Sequence, residues 1–147
     1  MKKQLYIMTA TMILLAISAV APVKAQSNTR ITLKATIPFE FSIGNRTLPA
    51  GEYIVVCINP ASDQSVLQFR GKDGHAGMVQ MRAVIGKASE TAKLVFNRYG
   101  DQYFFTRAWT PNESSGLEAP RSRAERSTQR ELAGAGQKSE LVAVEAR

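Results

Sequence analysis

The chain has 147 residues, 44% hydrophobic and 21% charged, with a formal charge of +7, one cysteine and one histidine. That length and apolar content suit a single folded domain rather than a disordered chain. One cysteine excludes an internal disulfide framework, and one cysteine with one histidine makes no recognisable zinc or copper set.

Residues 1–25 read as a secretory signal peptide. Lys2 and Lys3 precede an apolar run from Leu5 to Ala21, and Val23-Lys24-Ala25 places small or apolar residues at the −3 and −1 positions of a cleavage site after Ala25. The run is about 17 residues, at the lower limit for a membrane span, so no stable transmembrane span is expected after cleavage. No cysteine follows the site to take a lipid anchor. The expected location is periplasmic or secreted. Loss of Lys2, Lys3 and Lys24 takes three charges from +7 and leaves +4, dispersed along the mature chain with no run of like charge. Such a surplus is ordinarily a solvated surface, and nucleic acid is not an expected partner of an exported chain.

From Ile31 to Ile43 every odd position is apolar, and the even positions hold Thr32, Lys34, Thr36, Pro38, Glu40 and Ser42. Period two of this length predicts a strand with one buried face. Pro38 cannot donate to a ladder, so this strand is expected at an edge or bent there. Gly44-Asn45 ends it, and Leu48-Pro49-Ala50-Gly51 has the chemistry of a turn. Glu52–Ile58 is apolar on both faces, as in a covered central strand. A loop at Pro60–Asp63 leads to a strand over Val66–Arg70, a turn at Gly71–Gly74 and a strand over Gly77–Ile85. The hairpin Lys93–Tyr99 and Gln102–Trp109 turns at Gly100-Asp101, which fits type II′. Pairing Tyr99 with Gln102 sets Phe96 opposite Phe105, Arg98 opposite Tyr103 and Leu94 opposite Arg107.

After Gly116 the composition turns polar. Ser122-Arg123-Ala124-Glu125 fits a capping box and Gly134 a helix stop, but few apolar residues are available to anchor such a helix. The chain therefore divides into a signal peptide (1–25), a β-domain (26–117) and a helical or disordered tail (118–147), and the tail is expected to be dispensable for folding. The fold class is all-β, an antiparallel sandwich or small barrel of about 6–7 strands with a short polar C-terminal helix or tail.

Little in the sequence specifies catalysis. His75 follows a turn, Cys57 lies within an apolar strand, and Asp63, Asp73 and Asp101 fall where turns favour aspartate for its backbone hydrogen bonds. Glu40 and Glu52 are the strand carboxylates nearest in sequence, and solvent-facing polar positions account for both. No nucleophile elbow, phosphate loop or dinucleotide fingerprint occurs. No catalytic, cofactor-binding or metal-binding residue is assigned. The candidate partner-binding residues are Tyr99 and Phe104, on the outer face of the aromatic hairpin, and the edge strand 31–43 is a second candidate surface.

The stretch "PFEFSIGNRTLPAGEY", with Pro38, Phe39, Phe41, Gly44, Leu48, Pro49, Ala50, Gly51 and Tyr53, and the hairpin from Leu94 through Trp109 resemble a pair of motifs in small exported bacterial all-β proteins of unknown function. The resemblance covers most of residues 36–132. It implies an exported β-domain with a short polar helix and brings no catalytic residues with it. The functional expectation is an exported, non-catalytic β-domain that binds or scaffolds in the bacterial envelope. Its partner would be an envelope protein, a glycan or an apolar ligand. The alternatives are a barrel that carries an apolar small molecule inside and, third, a hydrolase.

Overall fold

The computed structural model describes residues 32–60 and 65–147. The signal-peptide reading of residues 1–25 and most of the loop at 60–63 lie outside the described residues. The fold is all-β and antiparallel apart from one short parallel contact. Among the described residues it has ten strands rather than six or seven: β1 (Thr32–Ile37), β2 (Phe41–Ile43), β3 (Arg46–Leu48), β4 (Gly51–Cys57), β5 (Ser65–Gly71), β6 (Ala76–Ile85), β7 (Ala92–Tyr99), β8 (Gln102–Trp109), β9 (Ser115–Glu118) and β10 (Glu140–Ala146), with one helix, α1 (Arg123–Gly134), before the last strand.

The extra strands have identifiable origins. The period-two run at 31–43 is broken by Pro38, so it becomes β1 and β2 on different neighbours. β1 pairs with β4 from Thr32↔Val56 to Ile37↔Gly51 and with β10 at Ala35↔Ala146, so it is not an edge strand. Gly44, at φ +58, turns the chain so that Ile43 faces Arg46 and β3 folds back on β2. Leu48-Pro49-Ala50-Gly51 then forms its turn, held by the Tyr53 hydroxyl donating to the Pro49 carbonyl at 2.6 Å.

The sheet order is β3-β2-β8-β7-β10-β1-β4-β5-β6-β9, and β9 also pairs with β8. The sheet therefore closes on itself as a barrel. The β2–β3 hairpin fills the other half of the seam, through a parallel contact at Ser42↔Phe104. Closure removes most exposed edges. Glu118 fastens the seam. It lies opposite Arg82 of β6 and Arg107 of β8, and its two carboxylate oxygens meet those guanidinium groups at 2.7 and 2.9 Å.

The barrel interior is filled with side chains. Phe41 contacts Tyr53, Phe69 and Phe96 at centroid separations of 5.3, 5.7 and 5.4 Å, and Phe105 contacts Phe69 and Phe96 at 5.0 and 5.7 Å. Most of these rings meet edge to face or tilted, the favourable geometry for aromatic pairs. Leu33, Ile37, Val55, Cys57, Leu67 and Leu94 complete the wall.

The hairpin register predicted from Tyr99↔Gln102 holds through Arg98↔Tyr103 and Phe96↔Phe105, and Gly100 takes the positive φ (+60) expected of its turn. It then shifts. Leu94 faces Ala108, not Arg107, because the register shifts between Val95 and Phe96 and leaves Thr106 without a partner on β7.

The tail departs most from expectation. Residues 140–146 are not helical or disordered. They form β10, which lies between β7 and β1 and pairs with β7 from Glu140↔Arg98 to Ala146↔Ala92. The sequence Leu141-Val142-Ala143-Val144 looked like a small isolated patch because its two partner strands are distant in the chain. α1 begins where the capping signal predicts, with the Glu125 amide donating to the Ser122 hydroxyl at 3.1 Å. It ends at Gly134, the predicted stop; Gly136, at φ +74, is the left-handed residue that closes the turn beyond it, and Gln137 N donates to the Leu132 carbonyl.

Candidate functional site

Tyr99 and Phe104, expected to form an open stacking platform, are 3% and 4% exposed. α1 packs against the outer face of β7 at Tyr99 and reaches the start of β8, where the Thr128 hydroxyl donates to the Gln102 side-chain oxygen at 3.0 Å. The Glu125 side chain does not reach back to close the capping box. Its Oε1 instead accepts from Asn97 Nδ2 at 2.7 Å and from the Tyr99 hydroxyl at 3.2 Å. Burial, then the neighbouring Glu125 carboxylate, pushes the Tyr99 phenol above its ordinary value. The two aromatic rings meet edge to face at 5.8 Å. Tyr99 is therefore tied to the protein's own helix, Phe104 is buried beside it, and neither ring offers an open surface to a partner.

The potentially reactive residues are dispersed. Cys57 is in the core, and burial pushes its thiol upward. His75 is exposed on the β5–β6 turn, 3.8 Å from Asp73. Glu52 lies opposite Thr36 on β4, whereas Glu40 lies beyond the end of β1. Among the described residues no cluster of three or more metal-ligating side chains occurs, and no helix is long and apolar enough to cross a membrane.

The structure gathers polar groups elsewhere. On the outer face of β10, β1, β4 and β5 the sheet curves into a groove of about 890 Å³. The strand registers determine its floor. Arg147 exchanges backbone hydrogen bonds with Lys34 at 2.8 and 2.9 Å, Lys34 lies opposite Ile54, and Ile54 lies opposite Arg70. These four outward side chains make one row across four strands. Beside it runs a second row of Glu145, Thr36, Glu52 and Lys72, in which Lys72 approaches Glu52 at 3.8 Å. Beneath the floor, Ala35, Tyr53 and Ala146 are buried in the barrel wall.

Among the described residues, no carboxylate lies within ion-pair distance of Lys34, Arg70 or Arg147. The Arg70 guanidinium is held through Nε by the Gln68 side-chain oxygen at 2.7 Å. Ile54, 42% exposed, is the single large apolar side chain on the floor. Sequence reasoning missed this groove. Lys34 and Arg70 occupy the polar phase of their strands, as surface residues do, and only the register shows that they share a row. Arg147 follows a strand that the sequence reading did not find.

No known protein family, curated protein or solved structure matches this chain.

Proposed function

We propose that this chain is an exported, non-catalytic binding domain of the bacterial envelope, and that it engages its ligand in the outer groove of β10-β1-β4-β5. The carrying observation is the groove itself, a concavity of about 890 Å³ on a rigid barrel wall, within the size range of small-ligand sites. Export rests on the signal-like residues 1–25 and agrees with the resemblance of "PFEFSIGNRTLPAGEY" to small exported β-proteins. Binding rather than turnover is favoured by the dispersal of Cys57, His75 and Glu40, since catalysis needs an acid, base or nucleophile held beside a group that tunes it. An internal carrier role is disfavoured by the contacting rings of Phe41, Phe69, Phe96 and Phe105, which occupy the space an apolar ligand would need.

The test fills the groove. Ile54→Trp places a bulky ring at its centre from an already exposed position. Ile85→Trp, at a position 87% exposed on β6, serves as the control. Retention of fractionated envelope polymers should be lost in the first variant and kept in the second. Equal retention by both would overturn the groove reading. Turnover of ester, glycoside or peptide substrates that disappears in His75→Ala, Cys57→Ser, Glu52→Gln or Glu145→Gln would overturn the binding reading.

A further inference from the structure

The row Arg147–Lys34–Ile54–Arg70 places three cationic side chains on adjacent strands with no carboxylate of the described chain in ion-pair reach. With strands about 4.8 Å apart, Lys34 and Arg70 are separated by roughly 10 Å and the whole row spans roughly 14 Å. We propose that this row seats a linear anionic glycan, a sugar chain bearing carboxylate or phosphate groups; the proposal rests on the groove reading above and specifies its ligand.

Three features support that chemistry. First, Arg70 is already oriented. Gln68 holds its Nε at 2.7 Å, which leaves the two terminal nitrogens to form a fork on an oxyanion. Second, Arg147 and Lys34 carry like charges on directly paired residues, an arrangement that opposes folding and that an anion between them relieves. Third, the neighbouring row supplies Glu145, Thr36 and Glu52, which accept hydrogen bonds from hydroxyl groups. A ligand with anionic groups alone would be repelled by those carboxylates. One that carries anionic groups and hydroxyls together satisfies both rows. The groove is concave, and its charged and hydroxyl side chains surround an apolar floor at Ile54, so it suits a short length of a single sugar chain better than a membrane plane.

The experiment is calorimetric titration of the purified protein with oligogalacturonate as the carboxylate source, phosphomannan as the phosphate source and unsubstituted mannan as the neutral control. One or both anionic glycans should bind and the neutral one should not. Lys34→Ala and Arg70→Ala should each weaken binding about tenfold, as expected for loss of a charge-assisted contact. The double variant Arg126→Ala/Arg130→Ala removes two exposed charges from α1 and should leave affinity within about twofold, a change below 1 kcal/mol. An equal loss in that double variant would show attraction to bulk charge only and would overturn the proposal. Equal binding of mannan, or failure of both anionic probes to bind, would also sink it. In either case the groove reading would survive if Ile54→Trp still blocked retention of the natural polymer. Tighter binding of duplex DNA or of anionic phospholipid vesicles, lost in Lys34→Ala and Arg70→Ala, would assign the row to a different class of ligand.

Discussion

Asn97 of β7 donates its side-chain amide to the carboxylate of Glu125 at 2.7 Å, and that carboxylate belongs to the first turn of the helix above it. Glu125 is 3% exposed, and Tyr99 supplies a second donor to the same oxygen. The contact fixes a polar helix, poor in apolar anchors, onto an aromatic face that would otherwise be open. Glu125→Ala leaves two buried donors without an acceptor, a loss of about 1–3 kcal/mol. Urea melts should register that loss, and amides in α1 should exchange faster. A change below 0.5 kcal/mol, the range of ordinary surface substitutions, would show that α1 is held by other contacts.

The aromatic interior makes a second prediction. Phe105 meets Phe69 at 5.0 Å and Phe96 at 5.7 Å, and all three are buried. Truncation to alanine removes a ring that close-packed neighbours cannot replace. Phe105→Ala should cost about 3–5 kcal/mol. A loss under 1 kcal/mol in denaturant melts would mean that the core relaxes into the space.

The C-terminal strand is required for the barrel. β10 lies between β7 and β1, and the groups it brings inward include Val144 and Ala146. Deletion of residues 140–147 exposes the ladder edge of β7 and removes the wall that joins the two halves of the sheet. The shortened chain should lose its cooperative thermal transition in circular dichroism. A sharp transition retained near the full-length midpoint would show that β7 and β1 can close without β10.

Local patterning explains what was legible. The alternation at 32–37, the Gly100-Asp101 turn and the capping signal at Ser122 each act within a few residues, and each produces the local structure expected. Pro38 correctly marked a break in the first strand. What failed depends on distant partners. β10 is short and lies beyond a polar helix, so its apolar residues find their neighbours only across the whole chain. Tyr99 and Phe104 looked like a free platform because nothing local reveals that α1 returns to Tyr99 and that Phe104 is buried beside it. The groove needs four strands in register, and one of them is β10 itself.

Glu118 gives the fold an acid-sensitive seam. The hydrogen bond from Arg82, then those of Arg107, hold its carboxyl below the ordinary carboxylate value against the opposing effect of burial. A depressed folded value means that its contribution is present above the unfolded pKa, about 4.3 for a glutamate, and is lost as pH falls through the folded value. Wild-type stability should therefore decline with acidification below that point. Glu118→Gln should be less stable at neutral pH and should show a shallower decline. Thermal melts of both proteins between neutral and acid pH provide the check; parallel curves would remove Glu118 from the acid response.

The cationic row predicts opposite effects on stability and on binding. Lys34 and Arg147 face each other through paired backbone hydrogen bonds, with Arg70 two strands further along the same row. Like charges directly opposite on a sheet are destabilising, and opposite charges are stabilising by about 0.2–1 kcal/mol. Lys34→Glu replaces the first arrangement by the second without disturbing the buried face of β1. The variant should therefore melt slightly higher than wild type, and the gain should shrink as salt is added, because the charges are at the surface. If the row seats an anion, the same variant should lose the ligand, since it places a carboxylate at the centre of the site. Higher stability with lost binding would identify Lys34 as a residue kept for recognition at the expense of the fold. Unchanged binding of an anionic glycan by Lys34→Glu would show that the anion does not enter the row, whatever the melting temperature.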